Sequence, residues 1–165
     1  MTTEQRRVYD SIVKGPRGTL VGPLRAALHR PELADKWQQL GELLRYRTSL
    51  PPHISEIAIL VTGAKFRSAY ELYAHVLVAE QRGLPDDKLA TIVAGQRPGD
   101  LTREEAIAYD VASALLETGV LPELTYQQAV KTFGQHATAE LIYLIGVYCL
   151  VSVTLNGFDV PVPEA

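Results

Sequence analysis

The sequence predicts an all-α chain, one compact domain of about seven to nine helices. Three observations predict it. Apolar residues recur at spacings of three and four along most of the chain. Prolines and glycines stand where such runs begin and end. No segment alternates with a period of two between hairpin signals. The 165 residues suit a single domain over 1–165.

Each element follows from its own residues. Glu4 to Val13 places Val8, Ile12 and Val13 on one side, and Gly15, Pro16 and Gly18 interrupt it. After Gly22-Pro23, Leu24 to Leu28 reads as one or two turns stopped by Pro31. Pro31 suits a first helical position, with Glu32 and Asp35 near the positive end of the helix dipole. That helix runs to about Tyr46 on a stripe of Leu33, Trp37, Leu40, Leu43 and Leu44. Pro51-Pro52 opens the next, carried by Ile54, Ile57, Ala58, Val61 and Ala64. A polar break from Lys65 to Ser68 precedes a helix over Ala69 to Gln81, closed by Gly83. Pro85 to Ala94 forms a short helix and Gly95 to Asp100 a loop. Thr102 and Glu105 make a capping box for a helix that reaches Glu117 and ends at Gly119. Thr125 to Phe133 is helical before Gly134. The last helix, about Thr138 to Leu155, is apolar almost all round and is expected at the centre. Asn156-Gly157 is expected to end it in a left-handed conformation. The tail from Val160 to Ala165 has two prolines and no periodicity.

Composition excludes several classes of function. Hydrophobic residues are 47% and charged residues 21%, ordinary globular values. The net charge of −3 gives no electrostatic footprint for nucleic acid. The single cysteine, Cys149, excludes an internal disulfide and a CxxC redox pair. The uncharged stretch from Leu141 loses its apolar run at Ser152, short of the ~18–20 residues of a membrane span, so no membrane partner is expected. The first residues lack an apolar signal core, and a cytoplasmic setting is the expectation.

P-loop, GxGxxG, HExxH and GxSxG motifs are absent. Gly15-Pro16-Arg17-Gly18 reads as a turn rather than a phosphate cradle. The informative stretch runs from Glu56 to Gly83. Ser68, Glu71 and His75 stand at i, i+3 and i+7, which places them on one helical face. A carboxylate one turn from an imidazole fixes its tautomer and raises the basicity of its other nitrogen. The same spacing also fits a surface pair worth only ~0.2–0.5 kcal/mol. Glu56 sits among Ile54, Ile57, Ile59 and Leu60, where a carboxylate needs a partner. If it faces the Glu71/His75 helix across a helical hairpin, three ionisable groups meet in one low-dielectric pocket. His136 and Glu140 form a second i, i+4 pair. Neither pair has the i, i+3 spacing of bundle carboxylate metal sites, and no metal is expected. His29 fits a helix C-terminus, and Trp37, Phe66 and Phe133 read as core or interface aromatics.

The spacing Glu56, Ser68, Glu71, His75 resembles the carboxymuconolactone decarboxylase superfamily, which includes the alkyl hydroperoxidase D-like proteins. In the redox branch a glutamate is followed twelve residues later by Cys-x-x-Cys, and His comes four residues after the second Cys. Glu56 and His75 match that pattern, while Ser68 and Glu71 replace the cysteines. Without a thiolate the chemistry of peroxide and disulfide exchange is missing. The Glu-x-x-x-His form within YELYAH looks like the decarboxylase branch instead, and the resemblance extends over roughly residues 16–163.

The resemblance implies an alkyl hydroperoxidase D-like helical domain that packs into homotrimers or homohexamers, with pockets near subunit interfaces. It implies loss of CO₂ from a small carboxylated lactone or aromatic-degradation metabolite, with no metal or cofactor. On that reading His75 is the general acid/base, oriented by Glu71, with Glu56 as the third catalytic group. Ser68, Tyr70 and Tyr73 are candidate donors to the substrate oxygen. Arg45 is either a carboxylate clamp or a structural partner of Glu56. Two other readings stand beside it: a hydroperoxidase-like antioxidant protein, disfavoured by the missing cysteines, and a non-catalytic helical oligomer that binds a small ligand.

Overall fold

A computed structural model describes residues 1–20 and 22–163, so the last two residues of the tail lie outside it. Among the described residues it contains eight helices and no strand: α1 (Thr3–Lys14), α2 (Pro23–Ala27), α3 (Pro31–Tyr46), α4 (Pro52–Phe66), α5 (Ala69–Gln81), α6 (Asp86–Val93), α7 (Arg103–Thr118) and α8 (Glu123–Gly157). Local chemistry sets most boundaries. Thr2 with Gln5 and Thr102 with Glu105 form capping boxes at α1 and α7. Pro stands in the first turn of α2, α3 and α4. Gly119 takes the left-handed conformation that ends α7 (φ 73°).

Three local expectations shift. The backbone of α8 breaks at Gly134 (φ 80°, ψ 166°), so its two halves follow one another without a loop. The left-handed residue after α8 is Asp159 (φ 48°), because Asn156 instead spends its amide on the Phe66 carbonyl (2.8 Å). His29 is exposed just beyond α2 and stacks on Phe158 with ring centroids 5.9 Å apart.

The most completely buried helix is α4, and α8, expected at the centre, packs against it and against α2, α3, α5 and α7. Every residue from Ile54 to Gly63 is buried, and α5, α6, α7 and α8 all pack against it. The reason lies in its sequence, ISEIAILVTG, which offers no outward polar face. By contrast α8 keeps Tyr143, Leu150 and Val153 exposed. An 18-residue window of α8 has mean hydropathy 1.8, long and apolar enough to cross a membrane by length and composition alone. Half of that window is buried in the protein, and its inner face, from Leu141 and Leu144 to Leu155, joins the core.

One contact fixes the hairpin that carries the charged residues. A Cβ added at Gly63 on α4 would stand 3.2 Å from Leu72 Cδ2 on α5. Glycine there lets the two helices approach closely enough for Glu56 to reach across to His75.

Candidate active site

His75 projects from α5 into the interior and is 5% exposed. Its Nδ1–H donates to Glu56 Oε2 on α4 (2.6 Å). Glu56 is itself completely buried, and its other oxygen accepts from Arg82 Nη1 (2.8 Å). Arg82 also donates to the Pro52 carbonyl (3.0 Å), which ties the end of α5 to the start of α4. The buried carboxylate is thus paired on both oxygens, as burial demands.

On the other side of the ring, Glu71 Oε1 lies 3.0 Å from Nε2. This is close enough for strong attraction but off the N–H direction, and Oε1 has no hydrogen-bond partner among the described residues. The aligned neighbour of Nε2 is the Tyr148 hydroxyl on α8 (3.3 Å), whose ring meets the imidazole edge-on at 5.1 Å. Burial disfavours the imidazolium. The hydrogen bond to Glu56 and the close contact with the Glu71 carboxylate outweigh that, so the pKa of His75 stands above its ordinary value.

His75, Glu71 and Tyr148 open onto a cavity of about 100 Å³. Ligand pockets for drug-sized molecules span roughly 300–1,000 Å³, so this one suits a small metabolite. Trp37, Leu44, Val147 and Val151 give it apolar walls, and Tyr70 borders it. Two guanidiniums enter from elements far apart in sequence, Arg17 from the turn between α1 and α2 and Arg45 from α3. Arg17 Nη2 lies against α3 where a Cβ at Gly41 would come within 3.6 Å. Among the described residues neither arginine has a carboxylate within ion-pair distance. Burial and the neighbouring Arg45 lower the pKa of Arg17. Burial also opposes the charge on Arg45, but Tyr148, Tyr46, Glu56 and Glu71 together raise its pKa. Two half-buried cations facing one cavity are matched to an anion.

The segment that carries Arg45 is anchored from below. Glu140 Oε2 on α8 accepts from Ser49 N (2.8 Å), Ser49 Oγ (2.6 Å) and Thr48 Oγ1 (3.0 Å). Burial alone would raise the Glu140 pKa, but these hydrogen bonds bring it below the ordinary value. The other Glu140 oxygen pairs with exposed His136 (3.3 Å). Among the described residues no group of three or more His, Cys, Asp or Glu side chains is arranged to hold a metal ion.

The described residues match several solved structures, one of them over most of this chain and the whole of the other. A protein of unknown function from Agrobacterium tumefaciens, whose crystal structure carries the provisional description of an antioxidant defence protein AhpD, aligns with a TM-score of 0.74 at 16% identity. The match covers 88% of this chain and 100% of that one. The chain has an alkyl hydroperoxidase D-like fold. No protein-family model matches the sequence, and no curated protein does.

Within this fold the expected site residues separate. Glu56, Glu71 and His75 converge, but Glu56 holds Nδ1 and Glu71 faces Nε2, so orientation of the ring falls to Glu56 rather than Glu71. Tyr70 and Arg45 border the cavity. The ion pair with Glu56 is made by Arg82, which leaves Arg45 directed at the cavity. Ser68 is the fully buried N-cap residue of α5 and lies outside the cavity lining. Tyr73 is 41% exposed on the outer side of α5, too far round the helix to donate into the cavity.

Three residues of the site were not singled out from the sequence. Arg82 stands seven residues after His75, on the same helical face, a signal that spacing does carry. Tyr148 is one of two tyrosines in the apolar half of α8, where a buried phenol needs a partner. Arg17 gave no signal beyond its place in a glycine turn.

Proposed function

We propose that the chain is a decarboxylase-like enzyme acting on a small carboxylated lactone or related metabolite, without a metal or cofactor. The observation that carries this reading is one cavity lined both by a proton-bearing imidazole and by two guanidiniums that, among the described residues, have no carboxylate partner. Arg17 and Arg45 would hold the ligand's carboxylate and carbonyl oxygens bidentately. When the carbon–carboxylate bond breaks, its electron pair moves into the adjacent unsaturated carbonyl and CO₂ departs. The guanidiniums then stabilise the enolate oxygen. A proton originating on His75 completes the product at carbon, and solvent restores it. Glu56 and Glu71 favour the protonated ring between turnovers.

The test is CO₂ release from a carboxylated γ-lactone by the purified chain. Turnover that survives alkylation of Cys149 is expected, and turnover of peroxide in its place would overturn the reading. The description attached to the Agrobacterium protein favours a second reading, peroxide defence. The residues here support it less: Ser68 and Glu71 stand where that chemistry would need thiols, and burial pushes the Cys149 thiol pKa up. A binding protein with no turnover would bind the same carboxylate and release no CO₂. Assembly into a trimer or hexamer belongs to the proposal, supported by the outward apolar side chains Tyr143, Leu150 and Val153 of α8. Light scattering reads it directly, and a monomer at micromolar concentration would refute it.

A further inference from the structure

We propose that Tyr148, rather than His75 or Glu71, is the group that hands the proton to the bound ligand, with His75 recharging it from behind. The inference rests on the proton-transfer reading above and adds a catalytic residue to it.

Access decides the matter. Both nitrogens of His75 already have neighbours: Nδ1 is taken by Glu56 at 2.6 Å, and Nε2 is enclosed by Glu71 Oε1 at 3.0 Å and the Tyr148 hydroxyl at 3.3 Å. The ring is 5% exposed and shares the cavity lining with Glu71 and Tyr148, so these two groups stand beside Nε2 where a ligand would approach. Of the two, the phenol carries a proton of its own to donate while its oxygen stands within hydrogen-bond reach of Nε2, whereas the carboxylate only accepts. A relay from the imidazolium through the phenol therefore follows a contact already present, the 3.3 Å between Nε2 and the Tyr148 hydroxyl.

The protonation state completes the picture. When the ring is an imidazolium, Nδ1–H donates to Glu56 and Nε2–H to the phenol oxygen, which leaves the tyrosine O–H free for the ligand. Arg45 and Arg17 lie close enough to Tyr148 to favour its anion, against the stronger effect of burial and the charges of Glu71 and Glu56. A free phenolate is therefore avoided. As the O–H proton goes to the ligand carbon, the Nε2–H proton crosses to the phenol oxygen. The ligand gains one proton, Tyr148 is unchanged, and His75 ends neutral until solvent reprotonates it. Glu71 acts through charge, keeping the proton on Nε2.

The experiment compares wild type with Tyr148→Phe and with 3-fluorotyrosine incorporated at position 148. A carboxylated γ-lactone is the probe, and melting temperatures serve as a check on folding. Loss of the terminal acid lowers kcat by about 100-fold or more in Tyr148→Phe, with KM within threefold, because the arginine contacts remain. Fluorination makes the phenol a stronger acid at nearly the same shape, and is expected to raise kcat about twofold or more. A Tyr148→Phe kcat within threefold of wild type, or a kcat indifferent to fluorination, would overturn the proposal. An ¹⁵N NMR titration of His75 reads the hydrogen-bond link without any substrate. Its midpoint falls in Tyr148→Phe if the phenol accepts from Nε2–H, and identical titrations refute the link. Wild type that releases no CO₂ while the titration shifts would sink the decarboxylase reading and the ligand step with it, leaving only a structural hydrogen bond.

Discussion

Replacing Glu56 by glutamine keeps the side chain's size and removes its charge, and its effect on stability can be worked from its two contacts. Glu56 is completely buried and accepts from His75 Nδ1–H at 2.6 Å and from Arg82 Nη1 at 2.8 Å. An amide presents an oxygen to only one of them and turns an N–H donor toward the other, so one buried donor loses its acceptor. Removing one member of a buried ion pair costs about 3–5 kcal/mol. For a domain of this length each kcal/mol lowers Tm by about 2–4 °C, so a drop of about 6–20 °C is expected. The sign of the pH dependence follows from His75, whose folded pKa lies above the unfolded value of 6.5. Its contribution to stability is complete below 6.5 and is lost as pH rises through the folded value. Thermal melts of the two proteins at pH 6 and pH 9 should therefore differ more at pH 6. Melts that superpose at pH 6 would refute the buried three-group network.

The remaining predictions concern the cations, the anchored loop and the glycine beneath Tyr70. Arg17→Gln or Arg45→Gln is expected to raise KM for a carboxylated γ-lactone about tenfold or more, since a charge-assisted hydrogen bond is worth about 1.5–3 kcal/mol. Steady-state kinetics decides it, and an unchanged KM in both variants would remove the anion from the cavity. Glu140→Gln is expected to destabilise by about 1–3 kcal/mol in urea at neutral pH. Because the folded pKa of Glu140 is depressed, that difference should be present above pH 4.5 and vanish as pH falls through the folded value. Gly22→Ala should destabilise and disturb the cavity mouth, since Gly22 has φ 54° and its added Cβ would stand 2.7 Å from Tyr70 Cε1; a melt equal to wild type would contradict it.

Much of the fold was legible because its punctuation is local. The Thr102/Glu105 box, the prolines at helix starts and Gly119 each act within one turn of chain, so the sequence alone places those boundaries. The choice of central helix was not local. α8 looks apolar all round and packs against α2, α3, α4, α5 and α7, yet α4 is the helix buried on every side, and that depends on which faces meet in space.

The site divides along the same line. Glu71 and His75 are neighbours by helical geometry, and Glu56 needed a partner by its setting, so this trio could be named in advance. Which carboxylate meets which nitrogen depends on the α4–α5 approach at Gly63, which no spacing rule supplies. Tyr73 could have been set aside from the sequence, because residues two apart project to different sides of a helix. Arg17 and Arg45 are 28 positions apart, with α2 between them in the chain, and meet only through the fold.

Proton transfer from His75 into the cavity is tested most directly by the pH profile of CO₂ release by wild type and His75→Ala. Wild-type turnover of a carboxylated γ-lactone is expected to fall at a pH above 6.5, as the imidazolium loses its proton. His75→Ala is expected to lose about 100-fold or more of kcat while remaining folded. A His75→Ala protein that turns over the lactone at the wild-type rate, with the same pH profile, would contradict it.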